Sequence, residues 1–215
     1  MISDNKQARL KGLILCGGKS TRMQQDKSQL AYHGQPHWQY LLQLLQEFVP
    51  EVYLSCRQEQ AAQFREYPHI ITDSVDGAGP SAGLLSAHAA QPDVAWLVLA
   101  CDLPLISRQS LAALLQARNP LKAATSFNSH FNNSPEPLIA IWEPAALAVL
   151  QQNFATGKNC PRKTLLGCDV LVLENVNVME QFNANTPAEM QEALQQLTDA
   201  PPPIPPHPQN TPSSR

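Results

Sequence analysis

Ala95-Trp96-Leu97-Val98-Leu99-Ala100-Cys101-Asp102 is the stretch whose reading decides the fold. An apolar run without interruption, closed by a carboxylate, reads as a strand covered on both faces, as in a parallel sheet flanked by helices. Working outward, Lys11-Gly12-Leu13-Ile14-Leu15-Cys16 reads as a second short buried strand, ended by Gly17-Gly18. Further strands are expected at 51–56, 70–73, 123–127, 138–142 and 170–173. Between them, 37–48 has helical spacing, with Trp38, Leu41, Leu42, Leu45 and Phe48 on one face and Pro36 fitting its first turn. Helices are also expected at 58–66, 84–90, 110–117, 144–153 and 187–197, with 77–83 a turn-rich loop before the second of these. Strands alternating with helices predict an α/β fold with a mostly parallel sheet and helices on both faces.

Composition limits the possibilities. The 215 residues suit one α/β domain, and the 43% hydrophobic content is enough for its core. The expected organisation is an N-terminal extension at 1–9, one domain at 10–198, and a proline-rich tail at 199–215, disordered or polyproline-like. The tail reads as a disposable end or, alternatively, as a PxxP ligand. No apolar run approaches the roughly 20 residues of a membrane helix, and residues 1–9 lack the apolar centre of a secretory signal. The expected location is therefore cytoplasmic, without a membrane partner. Net charge is −3 with no basic stripe, which argues against nucleic acid. The five cysteines include no CxxC pair, so they read as small residues of a reducing compartment.

In a parallel sheet, ligands bind beyond the carboxyl ends of the strands. Gly17, Cys56-Arg57, Asp73 and Asp102 all follow predicted strands and so gather there. A strand running into Gly17-Gly18 lets successive backbone N–H groups meet phosphate oxygens, and Arg22 and Lys27 add positive charge. The plain alternative is a surface turn followed by two solvated cations. Neither GxxxxGK[ST] nor GxGxxG spacing is present. Asp102 suits a magnesium ion shared with phosphates, or alternatively a turn before Pro104. Asn185-Thr186-Pro187 is a helix start, with Thr186 capping and Pro187 at the first helical position.

The stretch Leu15-Cys16-Gly17-Gly18-Lys19-Ser20-Thr21-Arg22-Met23-Gln24-Gln25-Asp26-Lys27 resembles the signature loop of the molybdenum cofactor guanylyltransferases, LAGGxSxRMGxDK. Cys16 stands where alanine is usual and Gln24 where glycine is usual. Gly79-Pro80-Ser81-Ala82-Gly83-Leu84 resembles the family's GPLAGL segment, and Cys101-Asp102-Leu103-Pro104 its CDxP motif. Pro135-Glu136-Pro137-Leu138-Ile139-Ala140 resembles PxPLxA, and Phe182-Asn183-Ala184-Asn185-Thr186-Pro187 resembles NxNTP. The likeness runs in order from about Leu10 to Leu197. It implies a Rossmann-like three-layer sandwich of the nucleotide-diphospho-sugar transferase type.

The resemblance further implies transfer of GMP from GTP to molybdopterin, with release of pyrophosphate and formation of the guanine dinucleotide cofactor. It implies Arg22, Lys27 and Asp102 as catalytic groups, with Mg²⁺ on Asp102. Leu15, Cys16, Gly17, Gly18, Ser20, Arg22, Lys27, Cys56, Asp73, Gly79, Pro80, Gly83 and Asp102 would surround the nucleotide. Cys56 falls where many relatives carry an asparagine. Asn183 and Asn185 would bind the pterin. Lys158, Arg162 and Lys163 form a basic cluster, either solvated on a loop or meeting a phosphate. Molybdoenzymes and other cofactor-biosynthesis proteins are the implied protein partners. A related cytidylyltransferase or sugar-phosphate nucleotidyltransferase, and a non-catalytic nucleotide-binding protein, are the alternatives. Related cytidylyltransferases tend to read Leu-Ala-Ala-Gly at the loop start, so Gly17-Gly18 points to guanine.

Overall fold

The computed structural model describes residues 7–18, 27–174 and 177–199. The expectations placed on Ser20, Arg22, Gln24 and Asp26, on residues 1–6, and on the tail from residue 200 onward lie outside them.

Among the described residues the strands are β1 (Arg9–Leu15), β2 (Val52–Cys56), β3 (Ile70–Thr72), β4 (Val94–Ala100), β5 (Ala124–Asn128), β6 (Pro135–Trp142) and β7 (Val170–Leu173). They form one sheet in the order β3-β2-β1-β4-β6-β5-β7. β1 pairs in parallel with both β2 and β4, so the opening strand lies at the centre of the parallel part. β6 runs antiparallel to β4 and to β5. It returns through a tight connection closed by Ser129 N–H donating to Ser134 O at 2.7 Å. Asn133 turns there at φ 48°, a conformation asparagine tolerates better than most residues.

Alternate residues of each central strand enter opposite cores, as the two-residue period of a strand requires. Ile14, Leu97, Leu99, Ile139 and Ile141 face one side, where they meet α1 (His37–Gln46) and α3 (Arg108–Ala117). Leu13, Trp96, Val98, Ala140 and Trp142 face the other, against α2 (Pro80–Ala90), α4 (Pro144–Ala155) and α5 (Pro161–Leu166). α2 is buried from Ser81 to His88 without a break. It lies between the sheet and α4, so it carries small and apolar residues all round rather than a stripe. α6 (Pro187–Asp199) closes the described chain and packs Ala193 against Leu30 and Tyr32.

Several boundaries differ from the sequence reading, each for a local reason. β1 begins at Arg9, inside the expected extension, because Arg9 already pairs with Val94. Arg118 supports that entry, donating to Ala8 O at 2.8 Å while bonded to Glu143 through a buried ion pair of 2.7 Å. Pro36 caps α1 instead of entering its first turn, since its ψ of 133° is extended. Residues 58–64 form a 3-10 helix, held at its start by Arg57 and Gln60. α2 begins at Pro80, where the ring presets the first helical φ. α3 begins at Arg108 because the Ser107 hydroxyl accepts from Ser110 N–H at 3.2 Å. α5 is a helix where a loop was one of two expectations, again with proline at its first position. No helix among the described residues is long and apolar enough to cross a membrane.

Candidate active site

The parallel strands deliver their ends to one edge of the sheet: Cys16-Gly17 after β1, Arg57 after β2, Asp73 after β3, Asp102 beyond β4. A cleft of about 760 Å³ opens there. Its walls include Leu15, Cys16, Gly17, Gly18, Lys27, Arg57, Asp73, Gly79, Pro80 and Asp102. Glycine is needed where the backbone turns. Gly18 has φ +145° and Gly79, the N-cap of α2, has φ +56°. α2 thus begins at the cleft wall, and the positive end of its dipole suits an anion there.

Lys27 and Asp102 meet across the cleft. Lys27 Nζ lies 3.6 Å from Asp102 Oδ2 and donates to Asn185 Oδ1. Ala184 N–H donates to Asp102 O at 2.9 Å, so the stretch Asn183-Ala184-Asn185 is fastened to the end of the strongest strand. Thr186 and Glu189 hold the stretch from behind: Glu189 N–H donates to the Thr186 hydroxyl, and Glu189 Oε2 accepts from Asn185 N–H at 2.8 Å. Asn183 is exposed and Asn185 half-buried.

Burial dominates the state of three carboxylates at this edge. Burial pushes the Asp102 carboxyl above its usual range, and Lys27 opposes the rise with its charge and a hydrogen bond. Asp102 Oδ1 is buried and has no hydrogen-bond partner among the described residues. Burial also raises Asp73, with the Ser55 hydroxyl donating to Asp73 Oδ1 at 3.2 Å and Arg57 opposing the rise. Glu136 is raised by burial too. Arg162 opposes this at 3.1 Å, and the Asp102 charge adds to the rise.

Such a site fits a hard divalent cation. An orphaned carboxylate oxygen is the ligand type that cation takes. No group of three or more histidine, cysteine, aspartate or glutamate side chains with metal-binding spacing occurs among the described residues. A cation at Asp102 would take further oxygen ligands from water or a bound anion.

Two residues expected at the nucleotide lie elsewhere. Cys56 has no exposed surface and belongs to the core with Val52 and Leu54; its neighbour Arg57 reaches the cleft instead. Its carbonyl does accept from Asp73 N–H at 2.9 Å. Gly83 faces the sheet, where an added Cβ would sit 2.5 Å from Ser55 Oγ and 2.6 Å from Leu15 Cδ2. It permits close packing of α2 and does not line the cleft. Sequence reasoning missed the Lys27–Asn185 contact and the Glu136–Arg162 pair. The signal for the second was a glutamate within an otherwise apolar strand.

The chain matches the family model described as the MobA-like NTP transferase domain over residues 12–169. It is 36% identical over 190 residues to the molybdenum cofactor biosynthesis bifunctional protein of Synechocystis. That alignment covers 87% of this chain but 54% of the relative, so the chain spans about half of that protein's length. It is 31% identical to the molybdenum cofactor guanylyltransferase of Pseudomonas fluorescens, covering 83% of this chain and 90% of the relative. Among solved structures, molybdopterin-guanine dinucleotide biosynthesis protein A from Archaeoglobus fulgidus superposes with a TM-score of 0.73. It is 21% identical, over 88% of this chain and 100% of that one, and speaks for the fold alone.

Proposed function

The chain belongs to the MobA-like NTP transferase domain family, and from that premise we propose that it transfers GMP from GTP to molybdopterin and releases pyrophosphate. The relatives named as molybdenum cofactor guanylyltransferases support this reading. The observation that carries it is the meeting of Lys27 and Asp102 at 3.6 Å in a cleft also lined by Gly17 and Gly18.

The chemistry needs no covalent enzyme intermediate. An oxygen of the acceptor's terminal phosphate forms a bond to the α-phosphorus of GTP, and the bond from that phosphorus to the bridging oxygen of pyrophosphate breaks. A phosphate nucleophile is already ionised near neutral pH, so positioning and charge stabilisation carry the rate. The backbone at Gly17-Gly18 lies along the phosphates. Lys27, held by Asn185, places a point charge on the leaving pyrophosphate. Arg22 takes part in the same task. Asp102 would hold Mg²⁺, which would supply neutralisation of the phosphate charge when bound. Asp73, Gly79 and Pro80 contact the nucleoside. Asn183 and Asn185 face the pterin, and the Lys27–Asn185 bond then joins the two substrate sides. The reaction takes place in the cytoplasm, and the product passes to molybdoenzymes.

The test is turnover of purified protein with molybdopterin and each of the four nucleoside triphosphates in the presence of Mg²⁺. The guanine dinucleotide and an equal amount of pyrophosphate are expected with GTP only. CTP outpacing GTP would move the chain to the cytidylyl branch. Tight GTP binding without pyrophosphate would make it a binding protein.

A further inference from the structure

Three cysteines lie in a row where β2, β1 and β4 end. β1 pairs Leu15 with Ser55 on one side and Ala100 on the other. The next residue along each strand is Cys56, Cys16 and Cys101. All three side chains fall on the same face, in the core with Ile14, Leu54 and Leu99. Two of them touch: Cys101 Sγ and Cys16 Sγ are 3.2 Å apart. These two residues also contribute to the cleft wall, each about 4% exposed, whereas Cys56 has no exposed surface and does not. Neighbouring strands place paired Cα atoms about 4.8 Å apart, within the span a disulfide bridges.

Their position in the chain gives the pair its consequence. Cys16 immediately precedes Gly17, and Cys101 immediately precedes Asp102. The cystine bond is about 2.05 Å long, so bonding would draw the two sulfurs together by roughly 1 Å. That movement acts directly on the Gly17 turn and the Asp102 carboxylate, which stand side by side at the cleft.

We propose that Cys16 and Cys101 are a redox site, closing to a reversible disulfide that impairs nucleotide binding and turnover. The regulatory half of this rests on the cleft being a triphosphate site. The oxidant is hydrogen peroxide. One sulfur attacks a peroxide oxygen; the O–O bond breaks, and the leaving hydroxide takes the thiol proton as water. The sulfenic acid so formed is attacked by the second sulfur: the S–S bond forms, the S–O bond breaks, and a second water leaves. Two thiols are oxidised by two electrons and one peroxide is reduced to two waters. A dithiol reductant reverses the change by thiol–disulfide exchange.

The experiment treats the full chain with hydrogen peroxide, removes the excess, and alkylates the free thiols without reduction. Peptide mass mapping, Mg-GTP binding and turnover are then read on the same sample. The expected map has a Cys16–Cys101 cross-link, with two of the five thiols lost to it. Turnover falls on the order of a hundredfold, the size of effect that misplacement by about 1 Å produces, and Mg-GTP affinity falls with it. Dithiothreitol restores both. Cys16→Ala and Cys101→Ser, each compared with its own untreated activity, keep most of that activity after peroxide.

Exposed Cys160 is the control for dose. Oxidised Cys160 with no Cys16–Cys101 cross-link overturns the proposal, as does a Cys16–Cys56 cross-link in its place. A complete cross-link that leaves Mg-GTP binding and turnover unchanged overturns the regulatory half. If the reduced chain itself neither binds nor turns over GTP, the proposed function fails, and the map alone decides the redox site.

Discussion

Asp102 concentrates the account into one side chain. Its folded pKa is raised by burial above the unfolded value of about 3.9. Between those two values the native state binds more protons than the unfolded chain, so stability falls as pH rises through the window. Asp102→Asn removes that cost. In the absence of nucleotide the variant is expected to melt higher than the parent at pH 8, by about 2 to 4 °C for each kcal/mol relieved. The gain should shrink as pH falls through the folded pKa and vanish only below the unfolded value of about 3.9, where the parent's carboxyl is protonated in both states. The same variant should lose turnover by roughly a hundredfold or more, the scale seen when a transition-state charge partner is removed. Thermal scans across pH beside turnover assays check both; a variant that melts no higher at pH 8 would deny that the carboxylate is held under strain. Asp102 was legible because it ends an apolar strand. Cys56 was misplaced although the alternation Val52, Leu54, Cys56 already put it on the core face. Motif spacing gives position along a chain, and only the strand period gives the face.

At the scale of elements, α2 governs how near the sheet the cleft wall stands. Gly83 lets the helix lie against Leu15 and Ser55. Gly83→Ala adds a methyl to that contact, and overpacking of this kind costs about 1–3 kcal/mol. Alanine's better helix propensity, worth about 1 kcal/mol, offsets only part of it. The variant is expected to unfold at a lower urea midpoint with unchanged slope. It should also disturb the Ser55–Asp73 hydrogen bond, raising the KM for nucleotide. A midpoint equal to the parent's would show that the packing is looser than described. The same helix marks the limit of reading elements from sequence. Its start was set four residues late, because small residues after Gly79 look like a loop until they are seen packed. The start of α6, by contrast, was legible in full: Thr186 and Glu189 form a local hydrogen-bonded cap that needs no distant partner. The direction of β6 was not legible, since an apolar strand of an α/β chain looks alike running either way.

Over the whole molecule, the sheet order does what local patterns cannot. Placing β1 between β2 and β4 sets the Gly17 turn beside Asp102. α6 and the stretch before it then bring Asn185 to Lys27, 158 positions away in sequence. Both ends of that contact were individually readable, but a hydrogen bond between them depends on how the last helix docks, and no periodicity carries that. We propose that this shared edge encloses a metal-chelated triphosphate. Crystals grown with Mn²⁺ and a non-hydrolysable GTP analogue test it most directly, through the anomalous scattering of the metal. A metal peak is expected about 2.1–2.3 Å from an Asp102 carboxylate oxygen, with the phosphates running along Gly17-Gly18 toward Lys27. An analogue bound away from that edge, or a metal with no contact to Asp102, would contradict it.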